Sequence, residues 1–165
     1  MPGLHFVTGD ATLPLGTRPA IVAHIVNRGG RWGSGFVVAV SRRWKTPERE
    51  YRDLDRAYAE RQLYIPLGLV QLVQVEEGER PVWVANMVGQ LTPGEATPPI
   101  RYDAVTACLR ELTGIAQRLD ADVHMPRIGS GLAGGDWTTI EGIIQRNLAN
   151  AVTTFVYDLP QKSRA

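Results

Sequence analysis

Short apolar runs alternate along this chain with stretches in which apolar residues recur every three or four positions. The runs are bounded by Gly, Pro or Asp and predict six strands, at 4–8, 20–27, 69–75, 81–88, 122–126 and 152–158. The recurring apolar positions predict four helices, at 34–44, from 46 to about 58, at 101–119 and at 136–149. Strands and helices that alternate in this way predict an α/β fold of three layers, with a mixed sheet between helices.

Local signals refine this outline. The segment EEGERP at 76–81 is typical of a turn and predicts that the third and fourth strands form an antiparallel hairpin. Thr46 is expected to cap the second helix and Pro47 to open it. The proline-rich segment 90–101 is predicted to be a loop, because proline disfavours both a helix interior and a central strand.

Length and composition indicate one ordinary globular domain. The chain has 165 residues, and its net charge is +1 because 18 basic residues face 17 acidic ones, so we expect no sequence-specific nucleic-acid partner. It has one cysteine, Cys108, which we interpret as a packing residue, and no thiol cluster for a metal. No apolar run approaches the ~20 residues of a membrane span, and the first residues do not resemble a signal peptide. We therefore expect a monomeric cytoplasmic protein without a metal, with a domain at 1–160 and a tail at 161–165.

Two glycine-rich segments follow predicted strands and precede predicted helices. The first contains Gly29, Gly30, Gly33 and Gly35, and the second contains Gly129, Gly131, Gly134 and Gly135. Such segments expose successive backbone amides, and a helix N-terminus beside them favours an anion. Each loop alone could be no more than a tight turn that needs glycine. Two of them at strand ends favour a cradle for one diphosphate.

The second segment also matches a dinucleotide-binding fingerprint. Residues 129–134 read G-x-G-x-x-G, and Asp158 ends the next strand, near the place of a ribose-binding acid. A Rossmann-type NAD-binding protein is therefore an alternative. Only one strand follows the motif, however, and Asp136 is placed to cap the helix after its last glycine, so the motif by itself is a weak signal.

An aspartate follows the first predicted strand in the segment TGDAT, 8–12. Asp10 could accept a hydrogen bond from an exocyclic amine such as that of adenine. An aspartate in this position is also typical of an ordinary turn.

Together these segments resemble the macrodomain family, whose members bind ADP-ribose. The resemblance rests on GDAT (9–12), VAHIVNRGGRWGSGF (22–36), VHMPRIGSGLAGGDW (123–137) and TTFVYDLP (153–160). It runs from about Leu4 to Pro160 and is similar to the branch that includes a terminal ADP-ribose protein glycohydrolase and the macrodomain of a chromatin remodeller. It implies a three-layer α/β/α fold and, as partner, free ADP-ribose or an ADP-ribosylated macromolecule, with no further cofactor.

The resemblance also implies roles for individual residues. Asp10 and the Ala11 amide would bind the adenine, and Tyr157 and Leu159 would pack on the nucleoside side. One wall near the diphosphate and distal ribose would comprise Asn27, Arg31, Trp32, Gly33, Ser34, Gly35 and Phe36. The opposite wall would comprise Arg127, Ile128, Gly129, Ser130, Gly131, Leu132 and Ala133. Trp32 could equally be a lid over the distal ribose or a core anchor.

The glycohydrolase chemistry of this branch is not expected here. It uses a lysine that forms a covalent sugar adduct and an aspartate in the second loop. The corresponding strand end reads ANMVGQ (85–90) without a lysine, and Ala133 occupies the aspartate position. Arginine cannot replace a primary amine as nucleophile. A hydrolase or ADP-ribose phosphate phosphatase without a lysine stays open, with His24 or Asp136 as candidate base, although His24 is also typical of a core histidine and Asp136 of a helix cap.

Overall fold

The computed structural model describes residues 2–161 and contains one six-stranded sheet. Its strands are β1 Gly3–Thr8, β2 Ala20–Asn27, β3 Val70–Glu76, β4 Val82–Gln90, β5 Asp122–Pro126 and β6 Thr153–Asp158. The order across the sheet is β1-β6-β5-β2-β4-β3. All neighbouring strands run parallel except β3 and β4, which form the predicted antiparallel hairpin.

Four helices cover the two faces of the sheet. They are α1 Phe36–Arg43, α2 Thr46–Ala59, α3 Tyr102–Leu119 and α4 Trp137–Ile144, and a π-helical segment, Gln145–Ala149, continues α4. The α3/α4 layer packs through Leu109, Leu112 and Ile140 on one face. The α1/α2 layer packs through Val40 and Tyr51 on the other. The predicted three-layer fold is therefore confirmed.

Side chains that alternate between the two faces of the central strands contribute to the hydrophobic core on each side of the sheet. In β2, Ile21 and Ala23 face the α3/α4 layer, whereas Ala20 and Val22 face the α1/α2 layer. Successive side chains of a strand point to opposite faces. Because both faces are covered, β2 is apolar at almost every position, which is typical of a parallel central strand. This arrangement leaves the carboxyl ends of β2 and β5 side by side at one edge of the sheet, where open α/β sheets bind ligands.

The structure corrects two expectations. Thr46 does not cap α2: Lys45 precedes the helix in a helical conformation, and no side chain bonds to the helix start, so Thr46 is its first residue. The Rossmann alternative is also wrong as a fold. The Rossmann strand order is 3-2-1-4-5-6, whereas here β1 lies at one edge beside β6 and an antiparallel strand closes the other edge.

Part of the predicted tail lies outside the described residues, namely 162–165. Within the described part, no helix is long and apolar enough to cross a membrane. The same part contains no group of three or more His, Cys, Asp or Glu side chains that could hold a metal ion.

Candidate nucleotide-binding site

A cavity of about 400 Å³ opens at the carboxyl ends of β2 and β5, between the two glycine-rich loops. Its volume lies within the ~300–1,000 Å³ usual for small-molecule sites. The loops face each other closely, since a Cβ added to Gly35 would lie 3.5 Å from Leu132 Cδ1. Among the predicted site residues, those that line the cavity are His24, Asn27, Arg31, Gly33, Ser34, Gly35, Phe36, Arg127, Ile128, Gly129, Gly131, Leu132 and Ala133.

The glycines of the second loop fall into two classes. A Cβ on Gly129 would lie 2.4 Å from Ile100 Cδ1, and one on Gly135 would lie 2.5 Å from the Gly129 carbonyl oxygen. Gly129 and Gly134 also have positive φ angles, 71° and 73°. These three glycines are therefore required by the fold of the loop itself.

Gly131 and its counterpart Gly33 in the first loop are different. Neither has a positive φ, and an added Cβ at either position would meet no atom within 4 Å. Both line the cavity. The fold therefore does not require glycine at these two positions. The observation favours a function in which a ligand closely approaches the backbone from both sides.

Backbone amides around the cavity are left available for such a ligand. In the described chain, no protein group accepts a hydrogen bond from the amides of Gly33, Ser34 and Gly35, or of Gly131 and Leu132. The first loop leads directly into α1, whose positive dipole end adds to their effect. This pattern of donors is typical of an anion-binding nest at a helix N-terminus.

Asn27 shapes the first loop from within. Its Oδ1 accepts hydrogen bonds from the amides of Gly29 and Arg31 at 2.9 and 3.1 Å, and its Nδ2 donates to the Arg31 carbonyl at 2.7 Å. The Tyr51 hydroxyl donates to the Asn27 carbonyl and accepts from the Gly30 amide. Burial raises the pKa of Tyr51. The Asn27 side chain is thus engaged within the loop, and the exposed Arg31 has no carboxylate partner in the part of the chain described.

The loop between β4 and α3 forms a third side of the cavity that the sequence analysis missed. Gln90, Pro93 and Pro99 line it. Glu95 fastens the loop, because its carboxylate accepts hydrogen bonds from Arg28, at 2.6 Å between Nη2 and Oε1, and from the Thr92 amide. The Arg28 guanidinium lowers the pKa of Glu95 to about 2. The cluster of prolines at 93–99 was the only sequence signal for a fixed loop here.

Asp10 lies outside the cavity but on the same edge of the sheet. Its Oδ1 accepts hydrogen bonds from the Thr12 amide and hydroxyl, and its Oδ2 has no acceptor role in the described chain. The neighbouring Gly9 amide donates to the Asp158 carbonyl at 2.8 Å. The Asp158 side chain pairs with Arg127, which lines the cavity. Asp10 is thus about two strand spacings, roughly 10 Å, from the cavity.

The candidate bases, His24 and Asp136, both make hydrogen bonds within the protein, although Nδ1 of His24 is buried without a partner in the described chain. The amide nitrogen of Asn86 donates to Pro47 and Gln71, so its Oδ1 accepts from His24 Nε2, at 2.6 Å. Burial lowers the pKa of His24 to about 4, so the ring is neutral at physiological pH. Asp136 caps α4 as predicted: its Oδ2 accepts from the Thr139 amide and hydroxyl, and it does not line the cavity.

Five further predicted residues do not line the cavity. Trp32 is buried against Tyr51 and His24, with its indole N–H donating to Ser41, which is the geometry of a core anchor. Tyr157 is buried, whereas Leu159 is 74% exposed beyond the end of β6. Ala11 is buried behind Asp10. Ser130 bonds back to the Arg127 carbonyl within its own loop.

Fold and site thus define an α/β protein with a cleft, lined by free backbone amides, between two glycine-rich loops at the carboxyl edge of a mixed sheet. Comparison with solved structures finds the same architecture. A macrodomain protein from Streptomyces coelicolor is 43% identical, with a TM-score of 0.81, over 94% of this chain and 98% of that one. The chain belongs to the macrodomain family. No family model matches it.

A more distant solved structure shares the fold, and two curated proteins share part of the sequence. The structure of Thermosipho africanus DarTG in complex with ADP-ribose is 18% identical, with a TM-score of 0.74, over 99% of this chain and 43% of that one. Mouse chromodomain-helicase-DNA-binding protein 1-like is 26% identical over 96% of this chain, which spans only 18% of its length. The ADP-ribose 1''-phosphate phosphatase of Lodderomyces elongisporus is 22% identical over 86% of this chain and 90% of that protein.

Proposed function

We propose that this macrodomain binds ADP-ribose, free or as the terminal group on a macromolecule, between its two glycine-rich loops. The observation that carries the proposal is the pair Gly33 and Gly131. Both face the cavity, and nothing in the protein itself requires glycine at either position. Glycine at facing positions lets amides of both loops reach a diphosphate from opposite sides.

The remaining roles follow from the order of groups along the edge of the sheet. With the diphosphate between the loops, the adenine extends past Arg127 and Asp158 toward Asp10, whose Oδ2 accepts a hydrogen bond from the exocyclic amine, with the Ala11 amide beside it. Leu159 supplies exposed apolar surface on that side. The distal ribose extends the other way, toward Asn27, Arg31 and Gln90.

A hydrolase without a lysine is the second candidate, and the likeness to an ADP-ribose 1''-phosphate phosphatase favours it. The geometry of the candidate bases does not favour a hydrolase. Nδ1 of His24, the ring nitrogen that Asn86 leaves as acceptor, is buried, and the ring has a low pKa of about 4. The Asp136 carboxylate is engaged in capping α4. A general base must come within hydrogen-bond reach of the proton that it removes. Binding is therefore the primary proposal.

Isothermal titration calorimetry with ADP-ribose tests this function, with AMP and NAD as competitors. We expect micromolar or tighter binding of ADP-ribose, weaker binding of AMP, and much weaker binding of NAD because its nicotinamide extends from the distal ribose. Asp10→Ala should weaken the binding of ADP-ribose. Absence of ADP-ribose binding would overturn the proposal. Incubation with ADP-ribose 1''-phosphate and with ester-linked ADP-ribose, followed by analysis of the products, tests the second candidate.

A further inference from the structure

The loop that carries Asp10 is held from behind by two side chains that do not line the cavity. This loop comprises residues 9–19 and connects β1 to β2. Tyr157, from β6, contacts the loop at Gly9 and Leu15. Arg80, from the turn of the β3–β4 hairpin, contacts it at Pro14, Leu15 and Arg18. Both residues are remote from the loop in sequence, and both bond only to its backbone.

Tyr157 reaches under the loop from the sheet. A Cβ added to Gly9 would lie 3.5 Å from the Tyr157 ring, and the Tyr157 hydroxyl accepts a hydrogen bond from the Leu15 amide at 2.9 Å. The same hydroxyl lies 2.8 Å from Nδ1 of His124, a buried histidine. Burial lowers the pKa of His124 to about 3, so its ring is neutral and shares one hydrogen bond with the hydroxyl. Tyr157 thus bridges the loop and the core of the sheet.

Arg80 holds the loop through three carbonyl groups. Its Nη1 donates to the Pro14 carbonyl at 2.6 Å, its Nη2 to the Leu15 carbonyl at 2.7 Å, and its Nε to the Arg18 carbonyl at 2.8 Å. No carboxylate pairs with Arg80 in the described chain. A planar guanidinium can satisfy three carbonyls in fixed directions, whereas an ammonium on a flexible stem cannot do so in the same geometry.

We propose that Tyr157 and Arg80 are positioning residues for nucleobase recognition, which hold the loop so that the free Asp10 oxygen meets the exocyclic amine of adenine. Asp10 itself is anchored only locally, through the bonds from Thr12 to its Oδ1 and from the Leu13 amide to its carbonyl. The direction of its Oδ2 therefore depends on where the whole loop lies. This inference rests on the proposed binding of ADP-ribose.

The proposal makes base selectivity depend on residues that do not touch the base. Hypoxanthine has a carbonyl where adenine has the amine, and a carboxylate cannot accept a hydrogen bond from a carbonyl oxygen. The protein should therefore bind ADP-ribose more tightly than inosine diphosphate ribose, by roughly the tenfold that one hydrogen bond to a charged acceptor supplies. Loss of either anchor should reduce this ratio, because the loop then samples positions in which Asp10 is misplaced.

The experiment compares the affinities of both ligands for the wild-type protein, Tyr157→Phe and Arg80→Lys. Tyr58→Phe in α2 and Arg110→Lys in α3 are matched controls remote from the loop. We expect the ratio of the two dissociation constants to fall to about threefold or less in both anchor variants. Their affinity for inosine diphosphate ribose should stay within about twofold of the wild type, and the controls should keep the wild-type ratio.

A purely structural role predicts a different result, in which both ligands lose affinity in parallel and the ratio is unchanged. That result would overturn the proposal, as would a wild-type ratio near one. If Tyr157→Phe does not fold, Arg80→Lys on the surface turn decides. Failure of the proposed function is distinguishable, because the wild-type protein would then bind neither ligand.

Discussion

Arg127 and Asp158 form a two-point ion pair between the ends of neighbouring strands, with 2.6 Å between Nε and Oδ1 and 2.9 Å between Nη2 and Oδ2. The guanidinium lies about 5 Å from the ring centres of Phe6 and Trp137. Pairing lowers the pKa of Asp158 and raises that of Arg127. The charge of the arginine beside the cavity is thus balanced and its direction fixed, so the free donors that face the cavity are chiefly backbone amides.

This pair leads to a prediction about charge. Asp158→Asn removes a negative charge near the diphosphate and leaves the Asp158 carbonyl, which accepts from Gly9, in place. We expect ADP-ribose affinity to rise by roughly two- to fivefold at low ionic strength, and the gain to shrink at high salt because screening weakens the attraction. Titrations at about 20 mM and about 500 mM salt would measure this, because the Debye length is longer than about 10 Å at the lower concentration and shorter at the higher one.

Asp120→Asn is the matched control for this charge. Asp120 also pairs with an arginine, Arg18, but it lies before β5, at the amino-terminal edge of the sheet. We expect no change in ADP-ribose affinity for this variant. A lower affinity in Asp158→Asn would mean that the orientation of Arg127 matters more for binding than the net charge.

Gly131 provides the sharpest test of the cavity itself. In Gly131→Glu a carboxylate enters the space proposed for the diphosphate, while the open surroundings of the Cβ leave the loop unstrained. We expect binding of ADP-ribose to fall by at least a hundredfold, since like charges repel and the side chain fills the cavity, with little change in melting temperature. Gly131→Ala should fold equally well and lose less affinity. Wild-type affinity in the glutamate variant would refute the cradle.

The sequence predicted the fold because the fold follows from periodic patterns. Each of the six strands lies within one or two residues of its predicted position, and β2 matches at both ends. The four helices were also predicted, because their apolar stripes face the sheet. The π-helical segment Gln145–Ala149, which continues α4, was not predicted, because it leaves the spacing of the apolar residues nearly unchanged.

The site was only partly predictable, because side-chain direction depends on contacts remote in sequence. Asn27 turns back into its own loop, and Trp32 packs on Tyr51, which lies a helix away. The third side of the cavity is a proline-rich loop without hydrophobic periodicity, so the sequence did not indicate that Gln90 and Pro99 line the cavity. Gly131 was recognised as part of a motif, but only the surrounding space distinguishes it from the glycines that the turn itself requires.

The two buried histidines predict a dependence of stability on pH. Burial lowers the pKa of His24 to about 4 and that of His124 to about 3, below the 6.5 of an exposed histidine. Below about pH 6.5 the unfolded chain therefore takes up protons that the folded protein does not. The free energy of unfolding is therefore unaffected by these histidines above that pH. It falls as the pH decreases toward 4, by up to about 1.4 kcal/mol per pH unit for each histidine.

Urea denaturation at pH 7.0, 5.5 and 4.5 measures this dependence. We expect His24→Gln and His124→Gln each to reduce its slope, because glutamine does not titrate, even where the substitution lowers stability at pH 7. The slopes should decrease independently in the two variants, since the rings bond to different partners, Asn86 and Tyr157. Unchanged slopes in both variants would show that carboxylates, rather than these rings, account for the loss of stability in acid.

Substitutions of Asp136, the N-cap of α4, distinguish a structural from a catalytic role for this residue. Because its Oδ2 accepts from both the amide and the hydroxyl of Thr139, Asp136→Ala should lower the free energy of unfolding, as loss of an N-cap typically does. Asp136→Asn, which keeps an oxygen acceptor, should recover most of that loss. ADP-ribose affinity should change little in either variant, because Asp136 does not line the cavity. If the protein hydrolyses ADP-ribose 1''-phosphate and Asp136→Asn abolishes turnover while keeping stability and affinity, then Asp136 is the base and the binding role is incomplete.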